Sequence, residues 1–443
     1  MGWTSPVFVI LDNPELSPLP EPITIDQGAW IGSLITLAAL FGPFIGGYAA
    51  STIGRKWGLL SASLPLLLGW VLVALASSSI WFIYAGRFSW GLALGMIYTI
   101  LPMYYAEIAT VQARGALGSF LQTFGTIGTL FMFSIGPFTS YLGIVFVGVG
   151  YLAFFMLMFF FMPETPIFHL LKNNRKAAAD SLMKIRGRSL ESVQKELDVM
   201  SADVEGSKDN KPGKISDIFR GKNFKAFYIG AALIFFQQCS GINAVLFNMT
   251  DIFSAAGSNL EPAYATIIVG AVQFGASMMT QAVVGRLGRR TLMIISSSGA
   301  AIALALLGAY FLLADIESPV VESINFLPLL SLVMFMLLYC WGLGALPMTI
   351  IGEIMPIEVK SLFLSFATAF GSTCTFLITR FFSVIADAVG HYVVFWIFAA
   401  NCGVCVLFCI FILPESKDKT YDEIQQMLEG KGRKNKQEEL EKA

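Results

Sequence analysis

The sequence predicts an all-α polytopic membrane protein. Three observations carry that expectation. The 443-residue chain is 56% hydrophobic, with a mean hydropathy of +0.69. Charged residues make up 13% of it, half the share of soluble chains, which is about a quarter. Apolar stretches long enough to cross a bilayer as helices, about 20 residues each, recur along its whole length.

Eleven such stretches are expected, at 29–50, 58–78, 81–105, 116–137, 140–162, 224–248, 263–284, 291–313, 326–350, 361–384 and 391–413. Residues 1–28 are Pro-rich and acidic with no basic start, so they do not read as a cleavable signal. The net charge of −1 gives no case for a nucleic-acid partner. The six cysteines (Cys239, Cys340, Cys374, Cys402, Cys405, Cys409) lie inside apolar runs, without the spacing of a disulfide framework or a zinc site. His169 and His391 are the only two histidines. No metal site, no cofactor and no catalytic residue is expected, and the chain does not read as an enzyme.

Orientation follows from the cations. Threading through eleven spans puts the connections alternately on two sides, and of the 29 Lys and Arg residues all but Arg87 and Arg380 fall on one of them. That bias predicts a cytoplasmic C-terminus and a cytoplasmic 163–223 loop. Arg87 and Arg380 are expected near the other ends of their spans, where a long side chain can snorkel or pair.

An internal repeat sets the architecture. GRK at 54–56 recurs as GRR at 288–290, an offset of 234; Glu107 recurs as Glu353, offset 246; PET at 163–165 recurs as PES at 414–416, offset 251. Duplicated halves around a central site are a signature of secondary transporters. Two spans precede GRR but only one precedes GRK, so a first span of twelve is expected to be missing, with MGWTSP as its stump. The expected organisation is an N-terminal bundle over 1–162, a cytoplasmic loop with short helices over 163–223, a six-helix bundle over 224–413 and a cytoplasmic tail over 414–443.

The ordered motifs GRK, GRF (86–88), PMYYAEI (102–108) with Arg114-Gly115, PET, QQCSGIN (237–243), GRLGRR (285–290), GEIMP (352–356) and PESKDKTYDEI (414–424) closely resemble the sugar-porter branch of the major facilitator superfamily. Within it, the insect facilitated trehalose and glucose carriers look most similar. The resemblance spans nearly the whole chain and implies two pseudo-symmetric helical bundles that move a sugar across the plasma membrane by alternating access. It also implies a cytoplasmic latch. Arg55, Glu107, Arg114 and Glu164 would form it in the first half, with Arg286, Arg289, Arg290, Glu353 and Glu415 as counterparts in the second. Single solvated ion pairs are worth about 0–1 kcal/mol, so several acting together would be needed to bias two states. Ser51-Thr52, Gly285 and Ile167 stand where the family carries charges, which thins the latch.

A neutral sugar offers hydroxyls that donate and accept, which amides match, and an amide left unpaired in hydrocarbon is costly. The mid-span amides Gln122, Gln237, Gln238, Asn243 and Gln273 are therefore the expected substrate-binding residues, and each matches a family amide position. Gly241 is expected to break the helix between the Gln pair and Asn243. Met348 replaces a family Trp, Leu343 and Ala345 replace helix-breaking prolines, and Gly371-Ser372 replaces an Asn-Trp pair. Trp341, seven residues before Met348, is the candidate stacking surface. No Asp or Glu lies mid-span, which favours facilitated diffusion, although proton-coupled relatives carry their acid on the first helix. The runner-up reading is a non-transporting sugar sensor or degenerate paralogue. The expected partners are a small sugar and the lipid bilayer; the oligomeric state stays open.

Overall fold

The structure, a computed structural model, describes residues 2–110, 114–209, 221–256, 261–355, 357–415 and 417. All regular structure among them is helical. The first half runs α1 (Thr4–Asp12), α2 (Ile25–Ala38), α3 (Gly42–Thr52), α4 (Arg55–Ala74), α5 (Ile80–Ile108), α6 (Arg114–Ile135) and α7 (Tyr141–Phe160). The loop forms α8 (Pro166–Leu171), α9 (Arg175–Arg186) and α10 (Leu190–Asp209). The second half runs α11 (Gly221–Gln238), α12 (Ile242–Phe247), α13 (Met249–Ala256), α14 (Pro262–Arg286), α15 (Arg289–Asp315), α16 (Val320–Ser323), α17 (Leu327–Trp341), α18 (Leu346–Ile354), α19 (Ile357–Val389) and α20 (His391–Phe411).

Ten helices or helix pairs among the described residues are long and apolar enough to cross a membrane. The remaining expected stretch, 116–137, coincides with α6, whose first turns fall outside the described side chains. Three stretches are broken rather than continuous. The first divides between α2 and α3 at Leu40-Phe41, and Pro43, with no N–H to give, begins the new helix. The others divide at Gly241 and at 342–345. The start of α2 is a capping box: Thr24 Oγ1 accepts from Gln27 N–H at 3.2 Å while Gln27 Oε1 accepts from Thr24 N–H at 2.9 Å.

The repeat is visible in the packing. In the first half α4 packs on α5 and α7; in the second, α15 packs on α17 and α20. The seam between halves is built from two helix pairs, α2 with α19 and α6 with α14. Shifting α2–α3 by the repeat offset gives α14, and shifting α6 gives α19, so the two pairs are equivalent contacts made twice. Helices α8–α10 have their own small apolar core around Leu170, Ala178, Leu182, Val193 and Leu197. They dock on the first half, where Arg186 Nη1 donates to Ile108 O at 2.8 Å, capping the end of α5, and Ser181 donates to Glu164 O.

Among the described residues, every polar or ring contact across the seam lies at mid-height or on the side away from the charged turns. Ser5 Oγ meets Thr250 Oγ1 at 2.6 Å, Thr126 Oγ1 meets Ser277 Oγ at 3.0 Å, Arg380 pairs with Asp26, Trp30 faces Phe376 and Phe138 faces Tyr264. On the charged side α3 packs on α4 and α5 of its own half, and its Phe44 and Tyr48 are exposed. Arg380 therefore pairs, as its position in the span allows. Arg87 does not snorkel. It is fully buried, its Nε donating to Ile31 O at 2.7 Å and its Nη2 to Thr4 Oγ1 at 3.0 Å, with Trp3 and Trp90 rings 5.3 and 5.8 Å from the guanidinium. Backbone carbonyls and ring faces solvate the cation where water cannot reach it.

Candidate functional site

The charged turns come first because they frame the mouth of the seam. Gly54 adopts φ 104° and begins α4; Glu164 reaches its N-terminus and accepts from Arg55 N–H at 3.0 Å and Lys56 N–H at 3.1 Å. A Cβ on residue 54 would overlap that carboxylate, which is why glycine precedes the arginine. The carboxylate occupies the positive end of the helix and satisfies free N–H groups. Arg55 then turns back to Glu107, with Nη2 at 2.8 Å and Nε at 3.0 Å from Oε1, while Thr165 Oγ1 donates to Oε2 at 2.5 Å.

The second half repeats each step. Glu415 accepts from Arg289 N–H at 2.8 Å and Arg290 N–H at 3.2 Å, and a Cβ on Gly288 would overlap it. Arg289 reaches Glu353 with Nη2 at 3.1 Å and Nε at 3.3 Å. Each expected carboxylate pair thus lies within one half. Two arginines stand apart from them. Arg290 donates from Nε to Cys409 O at 3.0 Å and from Nη2 to Ile410 O, fastening the end of α20. Arg286 is exposed, and its carbonyl accepts from Lys417 Nζ at 2.9 Å. The Arg114 side chain lies outside the described residues.

The amides gather where helices break. Gly241 sits at φ 82°, a left-handed conformation open to glycine, and separates α11 from α12. On its near side Gln238 Oε1 accepts two hydrogen bonds, from Asn243 Nδ2 at 3.0 Å and Thr375 Oγ1 at 2.9 Å. With Oε1 doubly engaged, the network leaves Gln238 Nε2 as a donor and Asn243 Oδ1 as an acceptor for anything entering beside them. Gln237 points elsewhere: its Nε2 donates to Leu343 O at 2.8 Å and Gly344 O at 3.1 Å. Those carbonyls belong to the break between α17 and α18, and Ser296 Oγ accepts from Leu343 N–H at 3.0 Å there. The break therefore forms without the prolines absent at 343 and 345, because side chains of α11 and α15 take up the freed backbone groups.

Gln273 on α14 is buried, and its Oε1 has no hydrogen-bond partner among the described residues; the same holds for Trp341 Nε1 at the end of α17. An acceptor and a donor thus stand unmet on two helices that pack together. Gln122 is exposed on α6, one turn before the Thr126 that bonds Ser277 across the seam. The expected amides therefore divide three ways. Gln238 and Asn243 are joined, Gln237 holds the neighbouring break, and Gln122 and Gln273 lie on the two helices of one seam pair. Sequence reasoning missed Thr375 and Ser296. Thr375 was one of several hydroxyls in its stretch, with Thr368, Ser372, Thr373 and Thr379 equally eligible.

The chain matches the family described as Sugar (and other) transporter over residues 21–428. It belongs to that family. Facilitated trehalose transporter Tret1 of Polypedilum vanderplanki is 34% identical over 434 residues, covering 98% of this chain and 85% of the relative. Tret1 of Apis mellifera ligustica is 33% identical over 431 residues, covering 97% and 84%. Among solved structures, the inward open conformation of the xylose transporter XylE from E. coli superposes with a TM-score of 0.79 at 21% identity, covering 96% of both chains. A partially occluded inward open form of XylE gives 0.75 at 19% identity, covering 94% of this chain and 96% of that one. As a sugar transporter family member with the major facilitator fold, the protein is a multi-pass membrane protein and not an enzyme.

Proposed function

We propose that this protein is a facilitative carrier of the plasma membrane that moves trehalose, glucose or a related sugar down its gradient by alternating access. The two moving bodies are residues 1–162 and 224–413, joined by 163–223, with that loop and the 414–443 tail in the cytoplasm. The observation that carries the reading is the amide cluster at the Gly241 break. Gln238, Asn243 and Thr375 form a preset pattern of donors and acceptors beside a seam whose described contacts all lie at mid-height or beyond. On this reading the cluster is reached from the charged side, the cytoplasmic one on the count of cations. Gln122, Gln237, Gln273 and Trp341 complete the lining, the unmet Gln273 Oε1 and Trp341 Nε1 being groups a hydroxylated ligand would satisfy. The charged turns hold the bundle ends that separate and meet again in each cycle.

A panel of radiolabelled mono- and disaccharides, offered to proteoliposomes containing the full chain, tests this. Saturable counterflow of one sugar is expected, with Gln238→Ala lowering uptake by about tenfold through loss of one to two hydrogen bonds. Binding of a sugar without counterflow of any sugar in the panel would instead support a non-transporting sensor.

A further inference from the structure

Two lysines from other elements gather at the last turn of α7. Lys56, in the first turn of α4, holds its Nζ 5.2 Å from the Trp57 ring and 5.3 Å from the Phe160 ring. Lys184 on α9 donates from Nζ to Phe161 O at 3.2 Å, just past the end of α7. The rings adjoin one another: Trp57 meets Phe160 edge-on at 6.2 Å, and Phe160 meets Phe161 at 5.8 Å. All three rings are exposed. Helix α7 is also the least buried of the ten spans, with 17% of its apolar stretch inside the protein against 33% or more for the others, so its outer face meets lipid. Neither lysine forms an ion pair among the described residues. Glu164, the carboxylate of the adjoining turn, is engaged by the N–H groups of Arg55, Lys56 and Thr165, and Asp180, one turn before Lys184, is exposed.

We propose that Lys56 and Lys184 hold the headgroup phosphate of an anionic phospholipid at the end of α7, with Trp57, Phe160 and Phe161 lying along its glycerol and upper acyl chains. A lysine on a membrane-facing surface keeps its methylenes among apolar groups while its ammonium reaches the headgroup layer. Tryptophan suits the same boundary, its ring apolar and its N–H polar. Both ammonium groups keep donors free: each has three N–H bonds, and Lys184 gives one of them to Phe161 O. Charge complementarity then selects the lipid. Two cations without a carboxylate partner attract a headgroup of net negative charge, whereas a choline headgroup brings its own cation. Because the lysines stand on α4 and α9, one bound phosphate joins the first bundle to the helices of the 163–223 loop. The site rests on the lipid-facing end of α7 and not on the carrier reading above. On the second half Lys417 Nζ also donates to a carbonyl at a helix end, Arg286 O at 2.9 Å, but it makes no ring contact among the described residues.

Purified full-length protein in detergent is titrated with phosphatidylserine or with phosphatidylcholine of the same acyl chains, and bound lipid is counted by native mass spectrometry. Phosphatidylserine is expected to half-fill the first site at about one-tenth of the phosphatidylcholine concentration or less, each lysine contributing about fivefold. Lys56→Gln combined with Lys184→Gln brings the two lipids to within about twofold. Lys184→Gln alone, at an exposed position, lowers the preference about fivefold where the double variant does not fold. Lys56→Arg combined with Lys184→Arg keeps the charges and keeps the preference, and Lys417→Gln leaves it unchanged. Equal binding of the two lipids by the native chain overturns the proposal, as does an undiminished preference in the glutamine variants. Loss of the preference in the arginine variant removes the role of charge and overturns it too. An equal loss in Lys417→Gln overturns it by showing a diffuse charge effect, and displacement of phosphatidylserine by inorganic phosphate overturns the lipid as occupant.

Discussion

The two charged turns are the same device built twice and solvated differently. In both, glycine admits a carboxylate to a helix N-terminus, and the next arginine turns back to a glutamate at the end of another helix. In the first half the Arg55 and Glu107 side chains are 6% and 11% exposed; in the second, Arg289 and Glu353 are 20% and 26% exposed. Thr165 adds a third bond to Glu107, and α8–α10 cover that end of the bundle. Repetition of sequence thus set the geometry, while among the described residues the helices α8–α10 lie over the drier pair. Because breaking a pair costs more the drier its surroundings, equal geometry does not mean equal energy.

That contrast is open to direct test. Glu107→Ala leaves a buried guanidinium with Ala50 O and the Phe168 ring but no carboxylate, and is expected to cost about 3–5 kcal/mol. Glu353→Ala, at the wetter pair, is expected to cost about 1 kcal/mol or less. Thermal unfolding of each variant in detergent reads the difference, and equal shifts would remove the distinction between the halves. Next in size is the glycine pair. Gly54→Ala forces a side chain into a φ of 104°, a cost of about 1–3 kcal/mol, and also displaces Glu164. Gly288, at φ −66°, carries only the displacement of Glu415, worth about 1 kcal/mol as a lost cap. The order Gly54→Ala worse than Gly288→Ala is the expected result.

The smallest effect lies at the opposite mouth, where two carboxylates approach each other. There α1 packs on α13 across the seam, and burial, then the Asp12 carboxylate, push the Asp251 carboxyl up to about 7. A carboxyl whose value is raised in the closed arrangement favours that arrangement while it is protonated. The favour is complete below the ordinary value of about 4 and is lost as pH rises through about 7. Cysteine labelling at the opposite mouth is therefore expected to increase between about pH 6 and pH 8, and Asp251→Asn to abolish the change. Unaltered labelling in the native chain across that range would reject the role of Asp251.

Parts of this arrangement could be read before any coordinates. The repeated GR…E…PE motifs grouped Arg55, Glu107 and Glu164 in one half and Arg289, Glu353 and Glu415 in the other, but which carboxylate each arginine meets came from the packing. The motifs did not reveal that Arg290 turns to the end of α20, nor that Arg87 is buried among tryptophans and carbonyls, since both depend on which element lies alongside. The break at Gly241 was legible from a glycine between polar residues. The break at 342–345 was hidden, because the prolines that signal it are missing and a distant glutamine and serine do their work. Thr375 was unreadable for a related reason: hydroxyls recur at many positions along α19, and only the packing of α11 selects one.

By itself the sequence determined that the chain is a duplicated set of apolar helices with charged motifs recurring at their turns. Hydrophobic length and charge bias act locally, against the bilayer, and need no partner to be expressed. The tertiary structure alone decided which polar groups are satisfied, which are left to meet a ligand and how dry each ion pair is. Those properties belong to the spaces between helices, and a space is defined only when both of its walls are in place.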